Sequence, residues 1–262
     1  MSGHSHAKTV AHKKQLEAEK RGAIFSKMAR LISLAAKSGS NPETNSKLRQ
    51  ALEEARRFNM PKENIERAIK RGAGEIEGSA LEEVSYEALG PQGILLIIEG
   101  ITDNKNRAML EVKQILQKYG GKIADEGSVK WAFERKGIII AKPNLLASPD
   151  KKTKKEENEQ TPLSVNEKES LELKLIESGA EDLNWFSEEE GELLEIITKP
   201  EDLEQIKEKV EKENLKIESA SLGWIAKEEM ELPEKERESC VKLLEELDES
   251  DTVQNVYSNL KL

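Results

Sequence analysis

A single cysteine, Cys240, stands in 262 residues. No disulfide can close within the chain, which suits a reducing compartment. Cys240 falls in a predicted helix with Leu244 and Leu247 on the same face, where a free cysteine reads as core rather than as a reactive thiol. Aromatic residues make up only 4%, too few to suggest a single-strand binder that stacks many bases. Long apolar runs are missing as well. The longest aliphatic stretch, Ile94 to Ile98, falls far short of the roughly twenty residues of a membrane span. No apolar signal segment is visible, so the expected location is cytoplasmic, away from membranes. The first aspartate is Asp103. Metal-dependent phosphodiester cleavage needs clustered carboxylates, and the first part of the chain has only scattered glutamates: Glu17, Glu19, Glu43, Glu53, Glu54, Glu63 and Glu66. With no phosphate-binding glycine loop and no G-x-S-x-G elbow elsewhere, no enzyme is expected.

Charge is what the chain has in quantity, at 35% of residues against 36% hydrophobic. The formal net charge of −10 hides a division. Residues 1–74 hold 16 Lys+Arg and 7 Asp+Glu, a net of +9; the remainder holds 25 and 44, a net of −19. One end is built to meet a polyanion, and the acidic body tends to stay off it.

The length suits two or three domains. Residues 1–20 are basic with little apolar periodicity, an arm that orders on a partner. From Arg21 to Lys37, the positions Ile24, Phe25, Met28, Leu31, Ile32 and Ala35 trace one face of a helix. A second helix is predicted over 43–58 with Leu48, Ala51, Leu52 and Ala55 inward. A third is opened by Pro61, with Ile65, Ala68 and Ile69 inward and Gly72 and Gly74 as its stop. Strands are predicted at 81–87 and 92–99 around Gly90-Pro91-Gln92-Gly93. A helix capped by Thr102-Asp103-Asn104 follows, then strands at 128–134 and 137–141, parted near Arg135-Lys136-Gly137. A charged linker occupies 142–166. Beyond it come a helix at 165–178, strands at 182–186 and 192–198, a helix at 201–213 and a strand at 215–225. With the strand at 137–141 these make β-α-β-β-α-β, a ferredoxin-like order. A helix over 233–247 and a strand over 252–257 follow. The expected fold is α/β (α+β) in three domains: a helical domain, 1–74; a middle α/β domain from 75–134 and 219–262; and an acidic ferredoxin-like domain, 135–218, inserted into it.

Nucleic acid is the expected partner. On the first long helix Lys20, Lys27, Arg30 and Lys37 recur at spacings of 7, 3 and 7, a stripe away from the apolar face. Arg21 joins it, and the arm adds His4, Lys8, His12, Lys13 and Lys14. The next two helices add Arg56, Arg57, Lys62, Arg67, Lys70 and Arg71. Such clusters attract phosphates by charge and counterion release. Taken singly, each reads better as a solvated face, and Arg67, Lys70 and Arg71 as complements to a helix C-terminus. A +9 segment on an acidic chain favours contact. His4, His6 and His12 lack a second ligand pair at metal-site spacing, so no metal and no cofactor are expected. Asn104 and Arg107 are candidate partner contacts within a run whose plainer reading is a helix cap. Duplex DNA and structured ribosomal RNA are both open as targets. No helix-turn-helix signature or zipper is visible, while an acidic body suits basic ribosomal proteins. A monomer is expected.

Several blocks resemble one known family. They begin with Gly3-His4-Ser5, His12-Lys13, Lys20-Arg21-Gly22 with Ile24-Phe25-Ser26-Lys27, and Asn59-Met60-Pro61-Lys62-Glu63-Asn64-Ile65-Glu66-Arg67-Ala68-Ile69. They continue through Tyr86-Glu87, Gly90-Pro91, Thr102 to Arg107, Gly120-Gly121, Gly127-Ser128-Val129 and Trp131. They end with Phe133 to Gly137, Gly179-Ala180-Glu181-Asp182 and Val253-Gln254-Asn255-Val256-Tyr257. In this order they resemble the YebC/PmpR family, whose mitochondrial relative is the translational activator of cytochrome oxidase subunit I. The resemblance implies a three-domain α/β protein without catalytic residues, a DNA-binding transcriptional regulator as the family is usually described, with a ribosome-associated translation factor as the alternative. Two departures stand out: His4-Ser5-His6-Ala7-Lys8 lacks the tryptophan usual after His-Ser, and the linker at 142–166 is longer than usual.

Overall fold

Apolar spacing in the first part becomes three helices: α1 (Ala18–Ala36), α2 (Ser46–Arg57) and α3 (Lys62–Gly72). The chain continues as β1 (Glu82–Leu89), β2 (Leu95–Thr102), α4 (Lys105–Lys118), β3 (Lys122–Ile123), β4 (Phe133–Pro143), α5 (Val165–Glu177), β5 (Asp182–Glu188), β6 (Gly191–Thr198), α6 (Leu203–Lys212), β7 (Leu215–Ala226), α7 (Glu234–Glu249) and β8 (Val253–Ser258). The structure, a computed structural model, describes residues 18–143, 164–188 and 191–261. The arm before α1 and most of the linker expected at 142–166 lie outside the described residues. Contacts divide the chain into two units: Glu134–Ile225, and the sequence on either side of it.

In the flanking unit the helices share one core, in which Ile24, Met28, Ile32, Ala35 and Ala36 of α1 meet Leu48, Ala51, Leu52 and Ala55 of α2 and Ala68 of α3. Asn45 starts α2 and ties it to the end of α1. Its Oδ1 accepts from Leu48 N at 3.1 Å, while its Nδ2 donates to Ala35 O at 2.8 Å and Gly39 O at 2.7 Å. α3 lies directly on α1. Ser33 Oγ donates to Ala68 O at 2.8 Å, and a Cβ on Gly72 would collide with Ser33 O and sit 2.7 Å from Ala36 Cβ.

The rest of this unit is a sheet of order β3-β1-β2-β8. β1 and β2 pair antiparallel from Glu82↔Thr102 to Leu89↔Leu95. They run later than the expected 81–87 and 92–99 because residues 90–94 form their own turn, with Gln92 at φ 59° and Gly90 N donating to Ile94 O at 2.8 Å. Helices α4 and α7 cover one face. Ala88, Leu96 and Ile98 of the sheet pack with Val112 and Leu116 of α4 and with Cys240, Leu243 and Leu247 of α7. Lys118 Nζ and Tyr119 Oη, at the end of α4, both donate to Glu246 Oε2 of α7 at 2.6 Å. Cys240 is fully buried, and burial pushes its thiol pKa up.

The Glu134–Ile225 unit has sheet order β5-β6-β4-β7, with β6 antiparallel to β4 and β5. With α5 after β4 and α6 after β6, this is the ferredoxin-like arrangement. Ile139, Leu175, Leu194, Ile196, Ile206 and Val210 lie at its centre. α5 opens with a capping box between Ser164 and Glu167, as spaced in the sequence.

One expected break is absent. The segment predicted as two strands, 128–134 and 137–141, is a 3₁₀ turn at Lys130–Ala132 followed by one continuous strand, β4. Gly137 is there for space rather than for turning: a Cβ would collide with Thr198 Oγ1 and lie 3.0 Å from Leu203 Cδ1. The charged residues before it are accommodated by pairing. Lys136 sits 2.8 Å from Glu181 and 3.1 Å from Glu134, and Arg135 lies over the Trp224 ring. The fold is therefore α/β (α+β), a helical domain with two small α/β domains, one of them ferredoxin-like and inserted in the other.

Candidate nucleic-acid interface

α1 has two sides with different neighbours. Its apolar side meets α2 and α3, and its basic stripe meets the C-terminal end of α7 through Lys27, the residues just after α7 through Arg30 and the residue just before β1 through Lys37. Lys27 is buried, its Nζ donating to Asp248 O with Asp248 Oδ1 at 3.5 Å. Arg30 donates to Asp251 O, and Lys37 Nζ to Leu81 O at 2.5 Å. Of the stripe expected to meet nucleic acid, Lys27 is buried, and Arg30 and the still exposed Lys37 are tied to main-chain carbonyls, so that these three hold the helical part to the sheet part. For Lys27 the cause is electrostatic, since the last carbonyls of a helix carry partial negative charge, here reinforced by Asp248. Lys20 and Arg21 lie in the first turns of α1. His4, Lys8, His12, Lys13 and Lys14 lie outside the described residues.

The cations of α2 and α3 stand differently. Arg56, Lys62, Arg67, Lys70 and Arg71 are exposed, and Arg57 is half-buried. Arg56 and Arg57 occupy the last turn of α2, and Lys70 and Arg71 the last turn of α3, where cations complement the helix ends. Lys62 is 3.6 Å from Glu66, both largely exposed, a pairing worth little in water. The two helices are joined by Phe58 to Pro61, with Asn59 at φ 54° making the turn. Along α3 only Ala68 is buried, so most of the helix surface is open.

Asn104 and Arg107 are brought together, and they serve each other. Asn104 Oδ1 accepts from Arg107 N at 3.1 Å, capping α4, and the Arg107 guanidinium pairs with Asp103 at 2.5 Å. Among the described residues, no group of three or more His, Cys, Asp or Glu could hold a metal ion, and no helix is long and apolar enough to cross a membrane.

Sequence reasoning missed Glu87. It is buried on β1 and accepts from three backbone N–H groups: Gly127 and Val129 at 2.6 Å, Lys130 at 2.9 Å. Burial by itself would push its carboxyl pKa up; the three N–H donors with nearby Lys130 outweigh that and hold it below the usual glutamate range. The only signal was a charged residue between Tyr86 and Ala88, both of which pack with the core.

Residues 5–75 match the TACO1/YebC protein N-terminal domain, and residues 81–260 match the TACO1/YebC second and third domain. The chain belongs to the TACO1/YebC family. Among its relatives, a probable transcriptional regulatory protein of Caldanaerobacter subterraneus subsp. tengcongensis is 43% identical over 100% of this chain and 99% of its own length. Another of the same description, from Persephonella marina, is 41% identical over 100% of this chain and 96% of its own. The crystal structure of a conserved hypothetical protein from Aquifex aeolicus superposes with a TM-score of 0.76 at 39% identity, covering 93% of this chain and 91% of that one. The TACO1/YebC match therefore spans the helical part, the split sheet and the ferredoxin-like insert alike.

Proposed function

We propose that this TACO1/YebC chain is a non-enzymatic regulator of gene expression that grips nucleic acid through the outer faces of α2 and α3. The observation that carries the reading is that Arg56, Lys62, Arg67, Lys70 and Arg71 stay exposed while Lys27, Arg30 and Lys37 donate to main-chain carbonyls of the chain itself. These five belong to the +9 segment, against −19 for the remainder, so attraction to phosphates is confined to one region. The description of relatives as probable transcriptional regulatory proteins favours duplex DNA, and the open surface of α3 suits a groove. His4, Lys8, His12, Lys13, Lys14, Lys20 and Arg21 extend the same grip. The protein acts as a cytoplasmic monomer. A second reading, a translation factor on structured ribosomal RNA, draws on the acidic remainder, which suits basic ribosomal proteins.

In-cell ultraviolet crosslinking with separate DNase and RNase treatment decides between them. Promoter DNA that disappears on DNase treatment supports the first reading. Ribosomal RNA fragments that disappear on RNase treatment support the second. Absence of both removes nucleic acid as the ligand.

A further inference from the structure

Trp131 is 68% exposed, yet it is held in place. Its indole Nε1 donates to Ser128 O at 2.7 Å. The backbone before it is fixed by the Glu87 carboxylate, and Ala132 and Phe133 after it are buried. With its N–H already satisfied, the ring has only its faces left to offer.

The other two of the chain's three tryptophans show what such faces take. The Arg135 guanidinium lies 5.1 Å from the Trp224 ring centroid, and the Lys168 ammonium 4.8 Å from that of Trp185. Among the described residues no cation lies over Trp131. The turn leading into it is acidic, and on its other side the exposed Lys227 is linked by its main chain to Ala132. Asp125 and Glu126 are exposed, in a turn closed by Ser128 N donating to Asp125 O at 3.1 Å, and neither forms an ion pair among the described residues. The neighbouring Lys130 faces Glu87, 3.9 Å away. A ring face tied through Ser128 to a turn that carries two exposed carboxylates attracts a cation by quadrupole and by charge. The same carboxylates repel the phosphate that any stacked nucleobase carries.

We propose that Trp131, with Asp125 and Glu126, is a docking platform for an arginine or lysine side chain from a basic segment of a partner protein. The platform is formed before the partner arrives, so little ordering cost falls on this side of the contact. The surrounding sequence, net −19 over residues 75–262, steers a basic segment toward it. The site is tied to β1 through Glu87, shares no residue with the α2 and α3 cations, and does not depend on nucleic acid being the other ligand.

Full-length protein, isotope-labelled at its tryptophan indoles, tests this by titration with an N-acetylated Gly-Arg repeat peptide, its lysine counterpart and its uncharged citrulline counterpart. The Trp131 resonance is expected to move saturably with the arginine or lysine peptide and to stay still with citrulline. Trp131→Ala should weaken peptide binding between about twofold and thirtyfold, the span a cation over an indole face supplies. Trp131→Phe should retain part of it, and Asp125→Asn with Glu126→Gln should weaken it while the ring stays intact. Equal affinity of the wild type and Trp131→Ala overturns the proposal. So does a Trp131 resonance that responds to a single-stranded oligonucleotide and to neither cationic peptide.

Discussion

The ammonium of Lys27 on α1 donates to the main-chain carbonyl of Asp248 at the end of α7, 221 residues away. A buried lysine at that point neutralises the negative end of a helix, so its removal exposes a mismatch as well as breaking a bond. Lys27→Ala is expected to lower the unfolding free energy by about 2 kcal/mol, measured by urea denaturation. Lys27→Met keeps the aliphatic stem and separates charge from packing. Wild-type stability in Lys27→Met would show that the ammonium contributes nothing.

Replacing Arg67, Lys70 and Arg71 together by alanine should weaken duplex binding. It should also flatten the dependence of log affinity on log salt, by up to about 0.9 for each phosphate that the variant no longer neutralises. Lys27→Met is expected to leave that slope unchanged, because Lys27 is engaged by Asp248. Identical slopes for the two variants would remove α3 from the binding surface.

Glu87 links stability to pH. Its folded pKa is depressed, so its contribution is fully present above the ordinary glutamate range and is lost as pH falls through the folded value. Glu87→Gln should cost about 2–3 kcal/mol at neutral pH, as expected for an ionised acceptor shared by several N–H donors. The gap to wild type should narrow in acid. Urea denaturation of both proteins across the acid range checks this; a gap that does not change with pH would rule out the charge as its source.

Two glycines of the helical part should respond oppositely to alanine. At Gly72 a Cβ would collide with Ser33 O, so Gly72→Ala should destabilise by about 1–3 kcal/mol. At Gly22, within α1, nothing lies within 4 Å of the added carbon, so Gly22→Ala should stabilise by up to about 1 kcal/mol. Thermal melts of both variants measure the contrast. A stabilised Gly72→Ala would mean that α3 does not sit on α1 as closely as described.

Much of this architecture is legible in the sequence wherever an element has one partner. α2 shows a single apolar face, and Leu48, Ala51, Leu52 and Ala55 are buried. The ferredoxin-like order is readable because its helices and strands change period cleanly from one to the next. α1 is harder. It has an apolar neighbour on one side and a polar one on the other, and a lysine received by carbonyls looks in sequence like a lysine in water. Gly137 misleads for a related reason: a glycine chosen for space is written with the same letter as one chosen for a turn. Glu87 shows only as a charge between two core residues, and nothing in the sequence names its partners, because they are backbone N–H groups, which every sequence supplies.

Strand β2 is completed by β8, with Ile97 opposite Tyr257 and Tyr257 Oη reaching Glu99 Oε2 at 3.5 Å across 158 residues. The whole Glu134–Ile225 unit lies between them in the chain, so a ribosome must finish that unit before β8 exists. Until then β2 is an edge with unpaired backbone, the kind of surface that recruits other strands. The insert can close its own sheet meanwhile, since all four of its strands have already been made. Where the chain returns, Lys227 N donates to Ala132 O at 2.9 Å, beside the point of departure. The order of synthesis, more than the strength of any one contact, therefore decides when the core around Cys240 becomes dry.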